Sequence, residues 1–111
     1  MKVDGGVGLD LHAVGDKAKE LESMGYSGLM TAETAHDPFL PLLVAAQNTE
    51  KVELMTSIAV AFARSPMTLA NVSHDLNAFS KGRFVNAIVS PLMQKKCKKI
   101  VYLYSLAFCP A

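Results

Sequence analysis

The stretch VELMTSIAVAFARSPMTLANVSHDLNAFSKGRF, residues 52–84, reads as a buried strand, a loop, an amphipathic helix and the opening of a further strand. Residues 52–60 are apolar on both faces, the pattern of a strand covered on each side rather than of a half-exposed antiparallel one. Ser65 followed by Pro66 has the form of an N-cap with proline at the first helical position. Leu69, Val72, Leu76 and Phe79 then recur at helical intervals, and Gly82 marks the stop. Strand, helix and strand in this order belong to a parallel α/β protein.

The same unit repeats toward the amino terminus. Residues 2–7 form a short strand candidate, followed by a helix whose face is Leu11, Val14, Ala18 and Leu21 and whose stop is Gly25. Residues 27–32 form a second brief strand, which delivers Glu33, Thr34 and His36 to a loop. Pro38 and Pro41 suit the start of a helix that residues 42–49 continue. With a fourth strand at residues 84–89 the chain makes three and a half βα units, expected to be joined by right-handed crossovers. A doubly wound sheet and a (β/α)8 barrel share this opening, and pattern alone separates them poorly. Gly5-Gly6-Val7-Gly8 is no dinucleotide fingerprint, because Leu11 stands where the third glycine of GxGxxG belongs.

Composition narrows the function classes. The 111 residues fit one domain, and with 50% hydrophobic and 19% charged residues the chain is far from the profile of disorder. A net charge of +1 supplies no field for nucleic acid or anionic lipid. The amino terminus lacks the apolar run of a secretory signal, so a cytoplasmic location is expected. Cys97 and Cys109 belong to no CxxC or Cys/His array, which argues against a metal site and for two free thiols. His12 and His74 read as surface residues, and methionines such as Met24, Met30, Met55 and Met67 read as core fillers.

The segments MKVDGG, LESMGYSGLMTAET, HDPFLPLLVAA, VELMTSIAVAFARSPMTLA and FSKGRF occur in an order and at intervals that resemble the amino-terminal third of the luciferase-like monooxygenase superfamily, particularly its coenzyme F420-dependent branch. The resemblance covers residues 1–84. It implies a partial (β/α)8 barrel, with coenzyme F420, or alternatively FMN, at the carboxyl ends of the strands for hydride transfer or oxygen activation on a small-molecule substrate. It further implies a bulge after the third strand, often with a cis peptide bond, that backs the cofactor ring. By position this bulge falls on Ser57 and Ile58 with Ala59 beside it; the alternative is an ordinary strand end. Asp4 joins these three as a candidate cofactor-binding residue.

For proton chemistry the resemblance points to His36 and Glu33, because many members carry an acid followed by histidine after the second strand. Histidine titrates near neutrality, whereas Glu33 would need its pKa raised by burial. The competing reading is a helix-entry turn in which Asp37 caps, His36 is solvated and Glu33 is a strand-end carboxylate. Arg64 has the planar fork to meet a phosphate or carboxylate, and bracing of its loop against a neighbouring acid is the favoured reading.

After Phe84 the pattern departs. Family members continue into a V-L-G-L-G strand, whereas this chain reads Val85-Asn86-Ala87-Ile88-Val89-Ser90. Residues 1–89 are therefore assigned to the barrel and 90–111 to an atypical tail. In that tail four lysines precede an apolar run too short to span a membrane, which also fits a strand covering an open sheet edge. The alternative to a cofactor-using fragment is an inactive truncated barrel, binding no cofactor, that associates with itself or another chain through open edges.

Overall fold

The computed structural model of the chain describes residues 1–89 and the pair Tyr102–Leu103. Strands β1 (Asp4–Gly6), β2 (Gly28–Ala32), β3 (Glu53–Val60) and β4 (Phe84–Val89) alternate with helices α1 (Leu11–Ser23), α2 (Phe39–Asn48) and α3 (Pro66–Phe79). The first four strands pair in parallel in the order β1-β2-β3-β4, and β5 (Tyr102–Leu103) pairs antiparallel with β4.

This order answers what the sequence pattern leaves open. Each crossover joins immediate neighbours with no reversal of direction across the sheet. Right-handed crossovers of that kind put every helix on one face. A doubly wound sheet reverses its strand order once and covers both faces. The four parallel strands and three helices are part of a (β/α)8 barrel, some three and a half of its units.

The core lies between that helical layer and the sheet. Leu29, Leu54 and Phe84 from the strands meet Val14, Ala18, Leu21, Leu42, Ala45 and Leu76 from the helices. The expected helix faces hold at these positions and slip at two ends. Leu11 is 43% exposed and Phe79 is 52% exposed, each in a terminal turn of its helix.

Two strand expectations are corrected. The first strand is three residues, Asp4–Gly6, rather than residues 2–7. Burial along β3 alternates, with Leu54, Thr56 and Ala59 buried and the residues between them half-buried or exposed. The physical reason is one-sided cover: helices pack on one face only, and the other turns toward the barrel interior.

Helix ends follow their local chemistry. The Ser65 hydroxyl accepts the Thr68 N–H, and Asp10 accepts that of His12. For α2 the residue at the cap position is Pro38, which has no side-chain acceptor. Asp37 supplies one instead, accepting the N–H groups of Phe39 and Leu40 at 2.7 and 3.2 Å. Gly25 and Gly82 adopt φ of 88° and 84° just past α1 and α3, a conformation glycine reaches at least cost.

Candidate functional site

The third strand carries one residue more than either neighbour. Against β2, Thr31 and Ala32 face Thr56 and Ile58; against β4, Asn86 and Ile88 face Thr56 and Ala59. The extra residue lies at Ser57-Ile58, where a bulge is expected. Bulges concentrate at barrel rims and beside active sites because they re-aim side chains. Here the consequence is that Thr56 and Ala59, three apart, both face the helices, while Ser57 lines a cleft on the opposite side. No cis peptide bond occurs among the described residues, so that expectation is corrected; the bulge is made with trans bonds.

The cleft has a volume of about 330 Å³ and lies at the carboxyl ends of β1, β2 and β3. Its walls are Gly6, Gly8 and Leu9 from the first unit, Met30, Thr31, Ala32 and Thr34 from the second, and Ser57 from the third. A Cβ built on Gly6 or Gly8 meets nothing within 4 Å, so this wall is open to close approach. A second groove, of about 350 Å³, lies between α2 and α3 on the outer face, away from the strand ends. The strand-end cleft is where barrels of this kind assemble their chemistry.

Beside the cleft, Arg64 forms a two-pronged ion pair with Glu33, Nη1 to Oε2 at 2.8 Å and Nη2 to Oε1 at 3.1 Å. Its Nη2 also reaches Asp37 Oδ2 at 3.3 Å, its Nη1 donates to the Val60 carbonyl at 2.8 Å, and its guanidinium stacks 5.3 Å from the Phe39 ring centre. Bracing is therefore what Arg64 does. The hydrogen bond from Arg64 holds the Glu33 carboxyl below its ordinary value, against the opposing effect of burial and with help from the Val60 N–H. A carboxylate so held suits a brace, whereas proton transfer at neutral pH calls for an acid raised by its surroundings.

The other sequence candidates separate. Asp4 opens β1 opposite Gly28, the first residue of β2, so it stands at the amino ends of the strands, away from the cleft. β1 begins at Asp4, two residues later than the expected strand 2–7. Ala59 is fully buried in the core, and its side chain faces away from the cleft. Ile58 is 37% exposed and is not among the cleft-lining residues. His36 is exposed in the turn before α2, two residues beyond the cleft-lining Thr34.

Apart from Ser57, sequence reasoning missed the cleft residues: Gly6, Gly8, Leu9, Met30, Thr31, Ala32 and Thr34. The available signal was alternation: with Leu29 and Thr31 turned to the helices, Met30 and Ala32 must face the other way. Among the described residues no group of three His, Cys, Asp or Glu could hold a metal ion, and no helix is long and apolar enough to cross a membrane.

Comparison with known proteins agrees with this architecture. The family model for luciferase-like monooxygenase matches residues 2–91. The uncharacterized protein Rv1360 of Mycobacterium tuberculosis is 48% identical over 99 residues, 86% of this chain and 29% of that protein, and Mb1395 of Mycobacterium bovis matches equally. The chain thus spans under a third of the length of these curated relatives. Among solved structures, monooxygenase RslO1 from Streptomyces bottropensis superposes with a TM-score of 0.67 at 22% identity, over 79% of this chain and 32% of its own. The oxygenating constituent of 3,6-diketocamphane monooxygenase from Pseudomonas putida, solved in complex with FMN, gives 0.67 at 19% identity, over 80% and 29%.

Proposed function

This chain belongs to the luciferase-like monooxygenase family, and on that premise we propose that it forms the first wall of a flavin-type cofactor site in an oxidoreductase acting on a small molecule. The observation that carries the proposal is the cleft at the strand ends, with its glycine wall and the Ser57 bulge. Its volume of about 330 Å³ lies at the lower end of the roughly 300–1,000 Å³ of ligand sites, which suits the flat ring portion of such a cofactor.

The residues present fit a planar, largely apolar ring. Gly6 and Gly8 let a ring face approach the backbone, Met30 and Ala32 supply apolar contact, and the Thr34 and Ser57 hydroxyls offer hydrogen bonds at the rim. FMN and coenzyme F420 share this ring shape; when bound, F420 would supply hydride transfer and FMN hydride transfer or oxygen activation. The related 3,6-diketocamphane enzyme binds FMN, which favours FMN. His36, exposed on the loop that carries Thr34, is the residue we assign to proton exchange with the substrate.

Titration of the protein into FMN and, separately, into F420, followed by fluorescence and visible absorbance, tests the proposal. Saturable quenching by one of them is expected, with affinity reduced about tenfold or more in Gly6→Leu, whose side chain would occupy the open space. Absence of any spectral change with both cofactors at high protein concentration would overturn it.

One observation favours a second reading, an inactive barrel portion. Beside β4, where a barrel continues with a parallel strand, β5 lies antiparallel and covers that edge, leaving the β1 edge of the sheet for association. Light scattering distinguishes the two: a concentration-dependent assembly together with no cofactor binding supports the second.

A further inference from the structure

We infer that the Glu33–Arg64 ion pair is a positioning device that fixes the β3 bulge and thereby sets the shape of the cleft floor that a flavin-type ring meets. The inference rests on the cofactor reading above and adds two residues that do not themselves line the cleft.

The starting point is the hydrogen-bond continuity of the sheet. β2 ends at Ala32, whereas β3 continues to Val60. Backbone groups near the end of β3 therefore need partners that β2 no longer supplies in regular form. Glu33 provides two. Its own N–H donates to the Ile58 carbonyl at 2.8 Å, and its Oε2 accepts the Val60 N–H at 2.6 Å. One residue thus holds β3 on both sides of Ala59, with its side chain standing in for the missing strand.

Arg64 completes the clamp from the loop beyond β3. It binds both Glu33 oxygens and also donates to the Val60 carbonyl at 2.8 Å. Both backbone groups of Val60 are therefore held by this one ion pair. The side chains are only 17% and 19% exposed, so water competes weakly for the same bonds. Behind Arg64 the Phe39 ring, 3% exposed, limits where the guanidinium can go.

The bulge has to be fixed because it holds one residue more than its neighbours require. A strand with an extra residue can place that residue at more than one point along its length. Tying Ile58 and Val60 to Glu33 leaves Ser57 as the displaced residue, with its side chain at the cleft. Loss of the carboxylate frees the end of β3, and Ser57 loses its fixed position. A planar fork matters here because a lysine ammonium cannot engage two carboxylate oxygens and a carbonyl in one plane.

The test compares FMN binding and the visible spectrum of bound FMN in wild type, Glu33→Gln, Arg64→Lys and Glu22→Gln. Glu22, whose carboxylate accepts the N–H groups of Glu50, Lys51 and Val52 ahead of β3, braces the opposite end of the strands, so its variant controls for general loss of stability. Glu33→Gln is expected to weaken FMN binding about tenfold and to shift the bound spectrum; Arg64→Lys should do so about threefold. Glu22→Gln should leave both readouts at the wild-type values. Unchanged affinity and spectrum in Glu33→Gln and Arg64→Lys overturn the inference while leaving the cofactor site standing, and so does an equal effect in Glu22→Gln. If Glu33→Gln does not fold, Arg64→Lys, which keeps the bond from Val60 to the carboxylate, decides by the same criterion. Wild-type protein that binds neither FMN nor F420 refutes the cofactor reading itself and this inference with it.

Discussion

Glu22 Oε1 lies 2.7 Å from the backbone nitrogen of Lys51, so a carboxylate on α1 closes the turn between α2 and β3, 29 residues away. The same carboxylate accepts the N–H of Glu50 at 3.0 Å and that of Val52 at 3.4 Å. Burial alone would push this carboxyl upward, but the three N–H groups and the charge of Arg83 outweigh it and leave it below its ordinary value.

Glu22→Gln is accordingly expected to lower stability by about 1 kcal/mol near neutral pH, as loss of a charge-assisted acceptor does. A carboxyl with a depressed folded pKa stabilises above its unfolded value, here 4.5, and the contribution disappears as pH falls through the folded pKa. Urea unfolding at neutral pH and at successively lower pH below 4.5 checks this, with the gap between variant and wild type closing as acid is added.

Arg83 performs a related task with the opposite charge. Its guanidinium donates to the carbonyls of Ala46, Thr49, Val52 and Ser80 and to the Thr49 hydroxyl, at 2.8 to 3.2 Å. Two of those carbonyls belong to the last turn of α2 and its cap, which have no helical partner. Arg83→Ala is expected to cost about 3 kcal/mol, and Arg83→Lys most of that, since a point charge satisfies fewer of the five acceptors. Thermal melts of the two variants read this directly.

Thr56 is fully buried, and its hydroxyl oxygen accepts the Ala87 N–H at 2.8 Å while lying 3.0 Å from the Ala87 carbonyl. Thr56→Val keeps the shape and removes the acceptor. A loss of about 2 kcal/mol is expected, with faster hydrogen exchange at Ala87 identifying the cause. Exchange at Ala87 as slow as in wild type would refute that account.

Leu54 is wholly buried at the centre of the sheet, against the helical layer. Leu54→Ala should destabilise by about 3 kcal/mol through lost transfer energy and a residual cavity. Denaturant titration checks it, and Leu54→Met, which nearly conserves volume, should lose less than half as much.

Much of the architecture is legible in the sequence alone. Residues 52–84 announce a strand, a capped helix and a further strand because burial and capping are local, periodic properties. The bulge at Ser57-Ile58 was legible only through family resemblance, since an extra residue in one strand is defined by its neighbours. The place of Asp4 at the start of β1 was not legible, because strand length depends on pairing with β2, which no window of sequence around Asp4 contains. The bracing contact of Glu33 was not legible for a related reason: its partner Arg64 is 31 residues further on.

The sequence by itself determined which residues seek the core, where helices begin and end, and that the strands run parallel, because these follow from side-chain chemistry over short spans. Tertiary structure alone decided that the helices share one face, that Ser57 lines a cleft while Ala59 does not, and that Glu33 braces β3. Those outcomes depend on strand order, register and the field of distant charges, each of which exists only once separate segments are brought together.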